Sequence, residues 1–259
     1  MSVTFNFANK KVIITGAAGV LGTWIAKAFY KSGADIWLVD QNEGRLKELA
    51  RALNGKGAVR TASFDLRQEE EIKKYFSTVS NEWGYADFLI NNAGIYPSSH
   101  LLDLKTDSYD DIMAINVKAP LLMTKHFSKL LIEANEPGSV VNIISKSAKT
   151  PRIGAVHYAM SKASLEMMTR GYAMELAEYG IRVNAVSPGF APGSDTSYLS
   201  DEYIQAMRKK IPLGRTSAEE DAPNAIMFLC SDEATFITGA SLYVDGGNSA
   251  GDFNIPINS

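Results

Sequence analysis

The chain has 259 residues, a formal net charge of −3 and an isoelectric point near 5.7, and 46% of its residues are hydrophobic. This balance gives no electrostatic reason to expect nucleic acid or an anionic membrane surface as a partner. The single cysteine, Cys230, excludes an internal disulfide framework and a multi-cysteine metal site, and we expect no metal cofactor.

Short runs of β-branched and apolar residues alternate along the chain with longer amphipathic stretches. The predicted strands cover residues 11–15, 35–39, 58–64, 88–91, 140–144, 182–187 and 241–244. The predicted helices cover residues 20–31, 43–53, 68–82, 107–133, 158–179, 201–209 and 219–229. This alternation predicts one α/β domain, a doubly wound parallel sheet of about seven strands with helices on both faces.

The first predicted strand runs into a glycine-rich turn. Gly16, Gly19 and Gly22 permit a tight turn, close approach to a pyrophosphate and close packing of the next helix on the strand. The first N–H groups of that helix, at the positive end of its dipole, would hold the phosphates. The sequence therefore predicts a dinucleotide site that includes Gly16, Ala18, Gly19, Val20, Leu21 and Gly22.

The second predicted strand is followed directly by Asp40, 24 positions after Gly16. This is close to the spacing at which a carboxylate binds both ribose hydroxyls of an adenosine. The carboxylate would repel a 2′-phosphate, and Gln41 and Asn42 follow it in place of a cation. We therefore expect NAD(H) to be favoured over NADP(H), and interpret Arg45 as a solvated charge on the helix surface.

Tyr158 and Lys162 are four positions apart on a predicted helix and share one of its faces. A free tyrosine ionises near pH ~10, too high for efficient acid–base catalysis at neutral pH. A neighbouring ammonium group favours the phenolate, so the spacing predicts that Lys162 lowers the pKa of Tyr158.

This pair, together with an ordered series of further motifs, resembles the short-chain dehydrogenase/reductase family in its compact form. The motifs lie at residues 15–22, Asp65, residues 91–94, Asn116, Ser145, Tyr158, Lys162, residues 188–189 and residues 236–247. The resemblance implies a Rossmann fold and an NAD(H)-dependent oxidoreductase. Such an enzyme interconverts a secondary alcohol and a ketone by hydride transfer.

The resemblance also implies a role for each catalytic candidate. Tyr158 would be the acid/base, and Lys162 would lower its pKa and hold the nicotinamide ribose. Ser145 would polarise the substrate oxygen, and Asn116 would organise a helix distortion and a water on the proton path. Further cofactor contacts implied by the resemblance are Asp65, Leu66, Asn92, Ala93, Gly94, Pro188 and Gly189.

Two positions depart from the family pattern. Compact members usually carry glycine where this chain has Val20, and the spacing here resembles the longer sugar-nucleotide-modifying branch. Chain length and the C-terminal motifs argue against that branch. The threonine usually found soon after the Pro-Gly pair is displaced here, to Thr196.

The resemblance also implies that the segment at about 190–215 is a mobile lid over the substrate, and its Gly, Pro and Ser content suits a hinged loop. The residues expected to line the substrate pocket are Tyr96, Lys146, Ser147, His157 and Phe190. Lys146 and Arg152 hint at a polar or anionic substrate, although solvated loop cations explain them equally well. His157 is more typical of a packing or pocket residue than of a proton carrier.

The preference for NAD(H) favours an oxidising polyol, sugar or hydroxy-acid dehydrogenase. The alternative is a 3-oxoacyl-thioester reductase. A non-catalytic NAD-binding regulator is a hypothesis from another class, and only the glycine spacing favours an epimerase or dehydratase.

The long predicted helices at 107–133 and 158–179 resemble the two helices by which family members pair, so we expect a homotetramer or dimer. The tail, residues 248–259, either frays or crosses the interface. No apolar run is long enough to span a bilayer and the first eleven residues lack a secretory pattern, so we expect a cytoplasmic protein.

Overall fold

The computed structural model describes residues 5–53, 57–193 and 199–251. The strands are β1 (Lys11–Thr15), β2 (Asp35–Asp40), β3 (Val59–Ser63), β4 (Phe88–Asn91), β5 (Gly138–Ile143), β6 (Ile181–Pro188) and β7 (Ser241–Val244). The helices are α1 (Val20–Lys31), α2 (Glu43–Ala52), α3 (Glu69–Trp83), α4 (Thr106–Met113), α5 (Ala119–Ala134), α6 (Val156–Leu176), α7 (Asp201–Arg208) and α8 (Asp221–Cys230).

The strands form one parallel sheet in the order β3-β2-β1-β4-β5-β6-β7. The direction of winding reverses between β1 and β4, which lie side by side with Ile14 paired to Ile90. The loops that leave these two strands therefore diverge to opposite faces and open a crevice at the carboxyl edge of the sheet, where ligands of such sheets bind. The predicted fold class is confirmed.

Both faces of the sheet are buried, which explains the continuously apolar strands. One face packs under α1, α2 and α8, with Phe29 and Ile226 in its core. The other packs under α3, α5 and α6, with Phe76 and Phe127 in its core. Cys230 is buried at the end of α8, and burial raises the pKa of its thiol to about 12. It acts as a small hydrophobic residue in the core.

Most predicted elements agree with the structure to within two residues, and two long helices differ in an informative way. The helix predicted over 107–133 is divided by a π-helical segment, Ala114–Lys118, between α4 and α5. The helix predicted to begin at Tyr158 begins at Val156, because Gly154, with φ +75°, ends the preceding turn. None of the helices in the described ranges has the length and apolarity that crossing a bilayer requires.

The packing of α1 on β1 depends on a glycine. A Cβ atom at Gly22 would collide with the Gly16 carbonyl oxygen and lie 2.8 Å from Ala17 Cα. We predict that Gly22→Ala lowers the free energy of unfolding by about 2 kcal/mol, because backbone atoms must move to admit the methyl group. Urea denaturation of the two proteins measures this difference.

Gly44 is the matched control, since it is also helical but exposed, and an added Cβ would meet only Asn42 Oδ1 at 3.5 Å. Gly44→Ala should leave the free energy of unfolding unchanged or raise it by up to about 1 kcal/mol. Equal losses in the two variants would contradict the packing argument.

Candidate active site

The turn after β1 and the loop after β4 lie against each other in the crevice. Gly16 has φ +62°, and a Cβ atom there would lie 2.7 Å from Ala93 Cα, so only glycine fits. Asn92 Nδ2 donates to the carbonyl oxygens of Thr15 and Gly16, both at 2.9 Å. The Thr15 hydroxyl accepts from the backbone N–H groups of Asn92 and Ala93 at 3.0 and 3.1 Å. The predicted cofactor residues Gly16, Asn92 and Ala93 are therefore held together with Thr15, and we call these four residues the ledge.

The first turn of α1 has the properties of a phosphate cradle. Gly19 is its N-cap and offers no side chain to the first N–H groups of the helix. A Cβ atom at Gly19 would meet only the Gly16 carbonyl oxygen, at 3.4 Å, so the chain itself does not require glycine there. The free space suits a ligand that approaches the backbone closely, and the open N–H groups suit its phosphates. The predicted residues Ala18, Val20 and Leu21 complete the turn.

The Asp40 carboxylate is fixed beside this turn at the end of β2. Its Oδ2 accepts from Ala18 N at 3.1 Å, and its Oδ1 accepts from Asn42 N at 3.0 Å. Arg45 is exposed and lies in the first turn of α2, which Asn42 caps. The arrangement places a negative charge where an adenosine ribose would offer its hydroxyls, so the turn and Asp40 together fit a dinucleotide.

A residue that the sequence analysis missed, Arg67, holds the other predicted carboxylate of the adenosine side. Its Nε and Nη2 donate to Asp65 Oδ2 at 2.9 and 2.7 Å, and its Nη1 donates to Asp111 Oδ1 at 2.7 Å. The hydrogen bond from Arg67 lowers the pKa of Asp65. Leu66, predicted with Asp65, is buried in the core. The proximity of Arg67 to Asp65 in the chain was a signal that could have identified it.

Ser145, Tyr158 and Lys162 meet beyond the ends of β5 and β6. Ser145 caps a short 3₁₀ turn, Lys146–Ala148, by accepting from Ser147 N at 3.1 Å, and its side chain is near enough to the Tyr158 phenol to lower the pKa of that group. Lys162 Nζ lies 5.9 Å from the centre of the Tyr158 ring and donates to the Ile143 carbonyl oxygen at 2.7 Å. The structure therefore brings the three predicted catalytic side chains together.

Burial and nearby polar groups act in opposite directions on the ionisation of Tyr158. Desolvation of the partly buried phenol raises the pKa of Tyr158, the Ser145 hydrogen bond lowers it, Tyr96 raises it and the Arg152 guanidinium lowers it. Lys162 Nζ donates to the Ile143 carbonyl oxygen, and its lowering of the Tyr158 pKa stays a prediction. Lys162 is only 4% exposed, and this burial lowers its own pKa to about 8.

The predicted helix distortion at Asn116 is confirmed by the π-helical segment in which that residue lies. Its Oδ1 accepts from Ile95 N at 2.9 Å, and its Nδ2 donates to Ile95 O at 2.9 Å and to Ser161 Oγ at 3.0 Å. Ser161, which the sequence analysis missed, donates to the Tyr158 carbonyl oxygen at 2.7 Å. The Asn116 amide therefore ties the loop after β4 to the helix that carries Tyr158. Gly94, in that loop, lies so close that a Cβ atom there would be 3.3 Å from Asn116 Oδ1.

The five predicted pocket residues have different surroundings. The Tyr96 ring lies 6.2 Å from the Tyr158 ring in an edge-to-face arrangement, which suits a pocket wall. His157 is 3% exposed and its Nε2 donates to the Pro97 carbonyl oxygen at 3.0 Å, so it packs and positions a loop and is not free to contact substrate. Ser147 donates its N–H to Ser145, as described above.

The two remaining pocket candidates contact other parts of the chain. Lys146 Nζ donates to Asn248 Oδ1 at 2.9 Å and to Asn248 O at 3.3 Å. The Phe190 ring lies 6.2 Å from the Tyr203 ring. Arg152, the other predicted cation, lies 3.4 Å from Ser98 Oγ. The cations that hinted at an anionic substrate therefore have partners within the chain.

Pro188 ends β6 and Gly189 follows it. Gly189 and Phe190 line a cleft of about 480 Å³ with residues 211–213, 215–217, 221 and 243–247. Ser217 N donates to Phe190 O at 2.8 Å, so the two ends of the predicted lid are tied together. The cleft does not include Ser145, Tyr158 or Lys162. Residues 194–198, with Thr196, and the tail from 252 lie outside the described residues. Within the described ranges, no group of three or more His, Cys, Asp or Glu side chains is arranged to hold a metal ion.

Comparisons with known proteins show which proteins this chain resembles over most of its length. A family profile described as enoyl-(acyl carrier protein) reductase matches residues 16–249. The chain is 34% identical over 242 residues to a 3-oxoacyl-[acyl-carrier-protein] reductase of Rickettsia typhi, covering 93% of this chain and 98% of the relative. It is 32% identical to the protein of the same name from Aquifex aeolicus, covering 92% of this chain and 96% of that one.

Among solved structures, the fold is similar to a short-chain type dehydrogenase/reductase from Mycobacterium marinum, with a TM-score of 0.90 and 26% identity. The match covers 96% of this chain and 98% of that one.

The buried Lys162 predicts a pH-dependent stability. Its pKa is about 8 in the folded chain and 10.5 when solvated, so between these values the unfolded state binds more protons. The free energy of unfolding should therefore rise with pH across this window, and below it the full cost of the buried ammonium applies. A pKa difference of this size corresponds to roughly 3 kcal/mol.

Urea denaturation of wild type and Lys162→Met, from pH 8 to 10.5, isolates this contribution. The stability of the variant relative to wild type should fall by about 3 kcal/mol as the pH rises. Lys27, exposed on α1, is the matched control, and the effect of Lys27→Met should stay constant. A constant difference for Lys162→Met would show that its amine is not desolvated.

Proposed function

The chain belongs to the short-chain dehydrogenase/reductase family of oxidoreductases, and we propose that it reduces 3-oxoacyl thioesters to 3-hydroxyacyl thioesters with NADH. The observation that carries the chemical part of the proposal is the meeting of Ser145, Tyr158 and Lys162 beside the phosphate cradle. Their surroundings match the needs of carbonyl reduction, in which one oxygen must be polarised and protonated.

The proposed proton transfer runs through the Tyr158 hydroxyl. A nicotinamide dinucleotide, when bound, would supply the hydride for the carbonyl carbon. The Tyr158 hydroxyl donates its proton to the carbonyl oxygen, and the Ser145 hydroxyl donates a hydrogen bond to the same oxygen. The Lys162 ammonium, buried on the same helix face one turn away, stabilises the phenolate that remains.

The cofactor would lie along the carboxyl edge of the sheet. Gly16, Ala18, Gly19, Val20, Leu21 and Gly22 would hold its phosphates; Asp40, Asp65, Leu66, Asn92, Ala93 and Gly94 its adenosine half; and Tyr158, Lys162, Pro188 and Gly189 its nicotinamide half. These are the roles that the resemblance to the family implies for the matching positions of this chain.

The substrate proposal revises the order of the two readings made from the sequence. A polyol or sugar acid would need free polar groups near Ser145, and Lys146 and Arg152 are engaged with Asn248 and Ser98. The Tyr96 ring, which lies edge-to-face with the Tyr158 ring, offers an aromatic wall that suits an acyl chain better. The Rickettsia typhi and Aquifex aeolicus relatives are named as reductases of such acyl thioesters. We therefore favour the alternative, and expect an acyl group carried by an acyl-carrier protein or a small thiol.

A polyol or sugar dehydrogenase is the second candidate, favoured by one observation. The fixed carboxylate of Asp40 supports a preference for NAD(H), which more often serves oxidation.

A second copy of the chain is proposed to cover one face of α6. Met160, Met167 and Met174 are seven residues apart on this helix and are 47%, 63% and 82% exposed. An apolar stripe of this kind on a water-soluble enzyme is typical of a subunit interface. We propose a homodimer or homotetramer in the cytoplasm, with residues 190–215 acting as a lid over each site.

Tyr158→Phe should lower kcat by about a thousandfold or more, since the ring stays in place and only the transferable proton is lost. The assay follows NADH absorbance with acetoacetyl thioester, and with polyols and NAD in the reverse direction. Binding of NADH, followed by its fluorescence, should remain within a few-fold of wild type. Full activity in the variant would exclude the proposed proton donor, and turnover of polyols alone would favour the second candidate.

Asp40 should set the choice of cofactor. We predict that wild type binds NADPH at least about tenfold more weakly than NADH, because the 2′-phosphate would approach a fixed carboxylate. Asp40→Asn keeps the size of the side chain and removes its charge, so it should bring the two dissociation constants to within a few-fold. Isothermal titration with each nucleotide measures both, and tighter binding of NADPH by wild type would overturn the assignment.

A further inference from the structure

The loop that carries Ser145 is joined to the segment after β7 by one side chain. Lys146 Nζ donates to both the side-chain and the backbone oxygen of Asn248, across 102 positions of sequence. Asn248 is held in turn, because its N–H donates to the Asp245 carbonyl oxygen at 3.2 Å. Lys146 is partly buried, so this pair of contacts is shielded from water more than a surface contact would be.

Fixing Lys146 restricts Ser145 through the turn between them. Lys146 is the first residue of the 3₁₀ turn that Ser145 caps, and Ser145 O accepts from Ala148 N at 2.9 Å. On the far side of the same loop, Ser99 N donates to Gly154 O at 2.8 Å. The loop is therefore supported at both ends, and the support nearest Ser145 is the Lys146–Asn248 contact.

We propose that Lys146 and Asn248 are positioning residues, which hold the Ser145 hydroxyl at the Tyr158 phenol and so couple the segment after β7 to proton transfer. The effect on proton transfer rests on the proposed function. The position of the hydroxyl is a property of the chain alone.

The groups around Tyr158 show how a substitution at Lys146 would reach it. Ser145 faces it from the loop after β5, Tyr96 from the loop after β4, Arg152 from the segment before α6, and Lys162 from α6 itself. Lys146 is not among the groups that shift the pKa of Tyr158. Because the Lys146 ammonium group is bound to Asn248, we expect its effect on the ionisation of Tyr158 to pass through Ser145.

The experiment is a tyrosinate absorbance titration of the full chain without substrate or dinucleotide. The chain has 11 tyrosines, and subtracting the spectrum of Tyr158→Phe isolates the absorbance of Tyr158. Lys146→Met and Asn248→Ala should each move the titration of Tyr158 upward by roughly half to one pH unit, because the Ser145 hydrogen bond to the phenolate is partly lost. The double variant should shift no further than either single one, and Lys146→Arg should restore most of the wild-type value.

The same variants should lower kcat about three- to tenfold, move its pH profile in the same direction and leave KM nearly unchanged. Lys105→Met removes an exposed charge elsewhere and should move neither readout.

A shift in Lys146→Met without one in Asn248→Ala would mean that the charge of the lysine acts directly, and would overturn the proposal. Absence of a shift in both would overturn it as well. If Lys146→Met does not fold, Asn248→Ala and Lys146→Gln decide the question. Activity of Tyr158→Phe would remove the proposed function but leave the outcome of the titration to stand by itself.

Discussion

The backbone of Gly16 lies against the backbone of Ala93, with no room for a side chain between them. This contact joins the two halves of the sheet at the edge where its winding reverses. It sets the phosphate cradle of α1 beside the loop after β4, and Asn92 locks the junction by donating to two carbonyl groups. Every other element of the site is placed relative to this ledge, since the loops after β4, β5 and β6 leave the sheet at the same edge.

The site built on that ledge contains a charge that the fold itself does not favour. Lys162 is almost completely buried, and its ammonium group is hydrogen-bonded to a main-chain carbonyl rather than paired with a carboxylate. Such a group costs stability at neutral pH, so its presence is better explained by chemistry than by folding. The phenol of Tyr158 is partly buried beside it, and its hydrogen bond to Ser145 favours the ionised form. Burial thus raises the pKa of the proposed proton donor, and the interaction with Ser145 lowers it.

Local patterns in the sequence were sufficient for the parts of the site that depend on short spacings. The cradle from Gly16 to Gly22 follows from a strand, a turn and a helix in immediate succession, and the shared face of Tyr158 and Lys162 follows from the helical repeat. The direction of the Lys162 side chain could not be predicted in this way, because its partner, Ile143, is on a neighbouring strand. The contact of Lys146 with Asn248 depends on where β5 and β7 end relative to each other.

The substrate was the least predictable feature, for a related physical reason. Lys146 looked like a cation available to an anionic substrate, and only the folded chain shows that Asn248 occupies it. His157 looked like a pocket residue, and the folded chain turns its ring toward Pro97. A side chain near a catalytic residue in sequence is free for substrate only if no distant segment has bound it first.

The π-helical segment around Asn116 also has a consequence for the long helical rod of which it is part. A π turn contains about one residue more than an α turn, which rotates everything after it by about 100° about the axis. Here α4 contacts α6, and α5, on the far side of the segment, contacts α3 as well as α6. One continuous rod thus presents its apolar stripe to two different neighbours. The extra residue rotates the apolar face of α5 relative to that of α4. The sequence on either side of it can therefore keep an ordinary helical repeat.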